Sequence, residues 1–283
     1  MLYIKRYSTR WILLLIWPIV VTASTPVDSP DFSCAAPAGP GFQDSIRIMT
    51  YNVHHCNPPG KATQGVIDIP AIVKVIRSRQ PDLVALQEID VNTTRSGKEI
   101  NEAAAIAEAL GMYFYFGKAI DYGGGGYGVA ILSRFPLSET RTQWLSQEAD
   151  PKTERRVLAT ARVTIPGGKQ IRFASTHLDV ENAANRLLQV QQIAETARQD
   201  SIPFILAGDL NDRPGSQPLS LLATQLQLTC DPCMPTFPQD LPTEVIDFIA
   251  FSPKTTAKVI SHFVVPETYA SDHRPLMAVL LVR

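Results

Sequence analysis

The sequence predicts an α/β chain of mixed β-sheets with helices outside, in one continuous domain over residues 45–283. Three observations carry that expectation. Apolar segments of strand length recur from Ile46 to the C-terminus. Helical periodicity separates only some of them. Elsewhere tight turns such as Pro166-Gly167-Gly168 join one strand directly to the next. A doubly wound parallel sheet would need a helix in nearly every connection, so hairpins and crossovers must coexist. Strand order is left open by these patterns.

Ile46–Val53 reads as the first strand. Asp68 then caps a helix that carries Pro70 in its first turn and Ile72, Val73 and Ile76 on its apolar stripe. Pro81-Asp82 stops it, and Leu83–Leu86 forms a short buried strand ending at Gln87-Glu88. Asn101–Leu110 is helical, with Gly111 as its stop. Strands follow at Tyr127–Leu132, Gln143–Leu145, Arg156–Ile165 and Gln170–His177. Helical spacing returns over Ala183–Arg198. Ile202–Ala207 is a strand running into Gly208-Asp209, and Ser216 caps a helix that reaches Leu226. Val245–Ala250, Lys258–Val265 and Pro275–Leu281 supply the last three strands.

The N-terminus has a separate design. Lys5, Arg6 and Arg10 precede an apolar run from Trp11 to Val21, and Val21-Thr22-Ala23 presents small residues. This is the layout of a secretory signal peptide over residues 1–23. An uncleaved anchor is the alternative, but the apolar run falls short of the roughly 20 residues of a spanning helix. Residues 24–44, rich in Pro, Ser, Ala and Gly, read as a flexible lead-in. The expected location is therefore secreted or periplasmic, with no stable membrane span.

The full chain has 26 basic and 27 acidic residues; without the leader it has 23 against 27. A mildly acidic domain lacks the global footprint of a duplex-binding protein, although a local basic groove stays open. Four cysteines, Cys34, Cys56, Cys230 and Cys233, suggest disulfides in an exported chain. Cys230-Asp-Pro-Cys233 has no second CxxC to make a zinc site, so a structural disulfide is expected there.

Polar residues collect at the expected strand ends: Asn52, Glu88, His177 with Asp179, Asp209 with Asn211, Asp247, and Asp272 with His273. Each alone reads as a turn or cap residue. As a set they could converge on one hard cation, Mg²⁺ or Mn²⁺, which prefers oxygen ligands. Two histidines and further carboxylates would then move protons. The His54-His55-Cys56 cluster is a separate candidate for a transition metal, with the alternative that Cys56 is oxidised, the commoner state of cysteine in an exported chain.

Seven short motifs occur in order: Thr50-Tyr51-Asn52-Val53-His54, Leu86-Gln87-Glu88-Ile89-Asp90, Tyr127-Gly128-Val129-Ala130-Ile131-Leu132-Ser133, Ser175-Thr176-His177-Leu178-Asp179, Gly208-Asp209-Leu210-Asn211, Ile246-Asp247-Phe248-Ile249 and Ser271-Asp272-His273-Arg274-Pro275. The series resembles the endonuclease/exonuclease/phosphatase superfamily, from about residue 46 onward. The resemblance implies a four-layer sandwich: two mixed sheets packed face to face, helices outside, and the site at one edge. It implies Glu88 as principal metal ligand with Asn52 and Asp272 beside it. Asp209 and Asn211 would orient and activate water. His273 would contact phosphoryl oxygens and pair with Asp247, and His177 would serve the transition state or leaving group. One departure is His54, where abasic-site members carry an acidic residue.

Substrate contacts are less marked. Arg95 and Arg156 are candidates for a phosphate, as is Arg186. The glycine run Asp121–Tyr127 is expected to be a mobile loop bordering the groove, with Tyr127 at its end. The function expected is an exported phosphohydrolase acting as a monomer on a phosphate ester, with nucleic acid, phospholipid and phosphorylated small molecules as candidate substrates. The alternative is a non-catalytic binding protein that keeps the fold.

Overall fold

The computed structural model describes residues 45–282. The leader, the lead-in and Cys34 therefore lie outside the described residues. The first sheet has the order β11(Ala257–Val264), β12(Leu276–Val282), β1(Ser45–Asn52), β2(Leu83–Val91), β4(Gly125–Ser133), β3(Tyr113–Tyr122). The second runs β5(Leu137–Trp144), β6(Val157–Thr164), β7(Gln170–His177), β8(Phe204–Asp209), β10(Asp247–Phe251), β9(Gln227–Leu228). Each sheet is mixed, because β1 pairs parallel with β2, and β7 with β8, while their other neighbours are antiparallel.

The layers follow from side-chain alternation, since successive residues of a strand face opposite ways. Ile46 and Ile48 of β1, Leu83 and Ala85 of β2, Ile171 and Phe173 of β7, and Ile205 and Ala207 of β8 form the core between the sheets. The opposite positions of the first sheet, Met49, Tyr51, Val84 and Leu86, pack with Ile72 and Ile76 of α1(Ile69–Arg79) and Ile106 of α2(Glu102–Leu110). In the second sheet Ala174, Phe204, Leu206 and Phe248 pack with Val190 and Ile193 of α3(Ala183–Gln199) and Leu219 and Leu222 of α4(Gln217–Ala223). Helix, sheet, sheet, helix is the expected four-layer sandwich.

The helix signals act as the sequence suggests. The side chains of Asp68, Asn101, Asn182 and Ser216 each accept a backbone N–H of the first turn. Gly111 closes α2 at φ 66°, where a Cβ would be disfavoured.

Five expectations need correction. The strand expected over Gln143–Leu145 begins six residues earlier and runs over Leu137–Trp144. The strand after Pro81 continues past Glu88 to Val91, with a register shift between Leu86 and Ile89. β3 was not anticipated, because its Tyr113–Phe116 run is aromatic throughout and shows no alternation. The glycine run is a tight turn between β3 and β4 rather than a mobile loop, and a Cβ on Gly125 would lie 2.1 Å from the Val91 carbonyl oxygen. The helix capped by Ser216 ends at Ala223. Cys230 and Cys233 form the expected disulfide, and Cys56 is a free thiol in the helix-side core of the first sheet. Among the described residues no helix is long and apolar enough to cross a membrane.

Candidate active site

The inter-sheet core turns polar at one edge. Along the inward-facing positions, β1 reads Ile46, Ile48, Thr50, Asn52; β7 reads Ile171, Phe173, Ser175, His177; β8 reads Ile205, Ala207, Asp209. The parallel strands end at this edge and antiparallel β10 begins there, with Asp247 opposite Asp209 and His177 opposite Asp209 in register. Beneath the edge, Thr50 donates to Gln87 Oε1 at 3.2 Å, and Gln87 Nε2 donates to Ser175 Oγ at 3.4 Å across the sheets. This buried polar floor fixes the two sheets relative to each other just below the site.

Asp209 is the hub. Its Oδ2 accepts a 3.2 Å hydrogen bond from Asn52 Nδ2 and lies 3.6 Å from His177 Nε2 and 3.7 Å from His273 Nε2. Its Oδ1 accepts the Asn211 amide N–H at 3.0 Å. His273 Nδ1 lies 2.9 Å from Asp247 Oδ2, which also accepts Thr236 Oγ1 at 2.6 Å. Phe237 packs against the His273 ring at 4.8 Å between centroids. Asn211 stands at φ 49° and spends its side-chain amide on the Leu178 carbonyl at 2.9 Å.

The bulge in β2 places Glu88. Strict alternation would send residue 88 to the helix side with Val84 and Leu86, yet Ile89 occupies that side with them. A left-handed Glu88, at φ 58°, absorbs the change of phase. Asn52 Nδ2 then donates to Glu88 Oε1 at 3.0 Å, so one amide bridges Glu88 and Asp209. Beside Glu88 the chain turns left-handed through His54, His55 and Cys56, at φ 46°, 43° and 55°. Each such residue costs about 1–3 kcal/mol and is found where surrounding structure enforces it, often at functional sites.

Electrostatics divides the two histidines. Burial, then the charges of Arg156 and His273, hold the His177 pKa well below its ordinary value, so His177 is neutral at pH 7. Its 3.6 Å approach to Asp209 is therefore no ion pair. Burial alone would also lower His273, but Asp247 beside it raises it to about 10. Burial and then the Asp247 charge push Asp209 up to about 7. Asp247 Oδ1 is buried without a hydrogen-bond partner.

A divalent cation fits this donor set. Among the described residues no lysine or arginine pairs with Glu88 or Asp272. Mg²⁺ and Mn²⁺ take hard oxygen donors of this kind. Two groupings could hold a metal: Asp209 with Asp247 and His273, and Glu88 with His54 and His55.

The sequence-predicted residues separate into those gathered at the edge and those at its border. Asn52, Glu88, His177, Asp209, Asp247 and His273 are linked by the contacts above, with Asn211 attached through its backbone. Asp272 touches the group indirectly: Ser271 Oγ donates to the Asn52 carbonyl at 2.7 Å and lies 3.3 Å from Asp272 Oδ1. Arg156 pairs with Glu154 at 2.9 Å and shares a crevice with Tyr127 and His177. Arg95 is held by Asp90 through two bonds of 2.8 and 2.9 Å and stacks over Tyr122 and Tyr127, at 4.4 and 5.5 Å to the ring centroids. Arg186 is tied to Asp212 at 3.0 Å and to the carbonyls of Asp179 and Val180. Asp179 accepts from Thr153, Glu181, Asn182 and Asn185 and so anchors the start of α3. Thr236 and Phe237 were missed; the only available signal was their place in the loop before Asp247.

Residues 49–273 match the model of the Endonuclease/Exonuclease/phosphatase family. The Escherichia coli protein named Uncharacterized protein YbhP is 26% identical over 250 residues, covering 83% of this chain and 96% of YbhP. The structure of an endonuclease/exonuclease/phosphatase from Beutenbergia cavernae is similar at TM-score 0.71 and 25% identity, covering 84% of this chain and 72% of that one. A mannosyl-6-phosphatase of Bacteroides thetaiotaomicron shares the fold at TM-score 0.69 and 19% identity, covering 83% of this chain and 99% of that one.

Proposed function

Since this chain belongs to the endonuclease/exonuclease/phosphatase family, we propose that it is an exported, metal-dependent phosphohydrolase, chiefly a phosphodiesterase, that acts as a monomer. The observation that carries this reading is Asp209 Oδ2, faced by His177 Nε2 and His273 Nε2 and bridged through Asn52 to Glu88. A phosphoryl group bound over that oxygen would meet two imidazoles, a carboxylate and a metal ligand together.

In this reading Glu88, Asn52 and Asp272 hold Mg²⁺ or Mn²⁺. When bound, the cation offsets the negative charge that builds on the phosphoryl oxygens during in-line attack. Asp209 takes the proton of the attacking water, and Asn211 helps to orient that water. His273, kept as an imidazolium by Asp247, donates to the phosphoryl oxygens. Neutral His177 serves the leaving-group side. Proton transfer of this kind contributes about 10²–10⁴-fold.

Arg95 is the best placed of the substrate candidates. Asp90 and the Tyr122 and Tyr127 rings fix it in one orientation while its side chain stays 32% exposed. A pre-ordered guanidinium suits a phosphate at little entropic cost. Arg156 and Tyr127 would line the other side, next to His177. Export rests on the leader-like N-terminus and agrees with the Cys230–Cys233 disulfide.

The test is a panel of DNA, RNA, sphingomyelin, inositol phosphates and simple phosphate monoesters, each with and without chelator. The sugar phosphatase of the same fold makes sugar monophosphates part of the panel. Chelator-sensitive turnover of a diester supports the reading. A folded chain that turns over no phosphate ester sinks it in favour of a binding protein.

A further inference from the structure

The His54-His55 pair is left unused by the chemistry above. It sits against Glu88: one ligand atom from each of His54, His55 and Glu88 lies within 4.8 Å of the others. Donors that share one cation at roughly 2 Å each lie about 3–4 Å apart, so small side-chain adjustments close the set. Cys56, the third member of the sequence cluster, is excluded, because its side chain is fully buried in the helix-side core.

Each ring is prepared differently. His54 Nδ1 lies 2.9 Å from the Asn57 carbonyl oxygen. A carbonyl only accepts, so Nδ1 carries the hydrogen and Nε2 the free lone pair. Metal-ligating histidines are commonly oriented by such a bond to a backbone carbonyl. His55 Nδ1 is buried and has no hydrogen-bond partner. The two rings meet edge-on, 4.6 Å between centroids at 63°, held by the left-handed turn of residues 54–56.

We infer that His54 and His55 join Glu88 in a two-imidazole, one-carboxylate site for a first-row transition cation, Zn²⁺ or Mn²⁺, which binds there in preference to Mg²⁺. The inference rests on the reading that Glu88 is a metal ligand. Its chemical ground is donor type: imidazole nitrogen favours transition ions, whereas Mg²⁺ takes oxygen donors and gives up its waters reluctantly.

The experiment is Mn²⁺ binding to the full chain, followed by pulsed electron paramagnetic resonance for ¹⁴N coupling and by calorimetric competition with Mg²⁺. The wild type should show imidazole ¹⁴N coupling that survives a tenfold excess of Mg²⁺. His55→Gln should bind Mn²⁺ at least about tenfold more weakly with Mg²⁺ affinity little changed, which separates loss of a ligand from loss of fold. Mn²⁺ bound without nitrogen coupling, or coupling that persists in the His54→Gln/His55→Gln double variant, overturns the inference. In either case the Glu88 reading stands if Glu88→Gln still loses Mg²⁺. A Glu88→Gln chain that binds both ions as wild type does overturns both.

Discussion

Asn52 and Asp209, at the ends of strands in different sheets, are joined by a 3.2 Å hydrogen bond from Nδ2 to Oδ2. The same nitrogen donates to Glu88 at 3.0 Å. One neutral amide thus sets the spacing between the proposed metal ligand and the proposed water-activating carboxylate.

Asn52→Ala removes both donations and leaves two carboxylates to find other partners. A hydrogen bond to a charged group contributes about 1.5–3 kcal/mol, so kcat/KM should fall roughly 10–100-fold. Steady-state kinetics on the best substrate of the panel checks this. An unchanged value would show that Asn52 positions nothing.

Gly208→Ala tests the strand contact under the same site. A Cβ there would lie 2.3 Å from the Thr176 carbonyl oxygen, in the register pair next to His177 and Asp209. Pushing β7 and β8 apart should cost about 1–3 kcal/mol and lower turnover, because His177 and Asp209 move with the strands. Thermal unfolding and kinetics on one preparation read both. A variant with wild-type Tm would mean the strands can part freely.

Asp179 governs acid stability at the start of α3. Burial would raise its carboxyl pKa, but the bonds from Thr153, Asn182, Asn185 and Glu181 lower it overall. A depressed folded-state pKa contributes stability that is present above the unfolded value of about 3.9 and is lost as pH falls through the lower folded value. The wild type should lose stability across that acid window, and Asp179→Asn should lose less there. At pH 7 the variant should be weaker by about 1–3 kcal/mol, since an amide nitrogen then meets donors. Denaturant unfolding at several pH values checks both signs. Parallel curves for the two chains would contradict the assignment.

Much of this site was legible because alternation is a strong signal. Ile46-Arg47-Ile48-Met49-Thr50-Tyr51-Asn52 and Ile171-Arg172-Phe173-Ala174-Ser175-Thr176-His177 show inward positions that begin apolar and end polar. Such a change is expected where a buried sheet face reaches an edge. The helix caps at Asp68, Asn101, Asn182 and Ser216 are local hydrogen-bond chemistry and read equally well. What the sequence hid is non-local. The bulge at Glu88 carries no glycine to announce it and shows only as Leu86 and Ile89 packing on one side. The fixing of Arg95 depends on Asp90 and two tyrosines that only the β2–β4 and β3–β4 pairings bring together. β3 was missed because aromatic residues face both sides at a sheet edge, so its polar–apolar period is lost.

Metal-assisted hydrolysis is decided by turnover of the best phosphate ester by wild type and Glu88→Gln, each titrated with Mg²⁺ and Mn²⁺ after exhaustive chelation. Glu88→Gln keeps the side chain's shape and removes the anion that anchors the cation. The chelated wild type should be inactive and recover with metal, while Glu88→Gln should need far more metal and fall short of wild-type turnover at saturation. Activity that survives chelation, or a Glu88→Gln titration that overlays the wild type, would contradict a metal-assisted hydrolysis centred on Glu88.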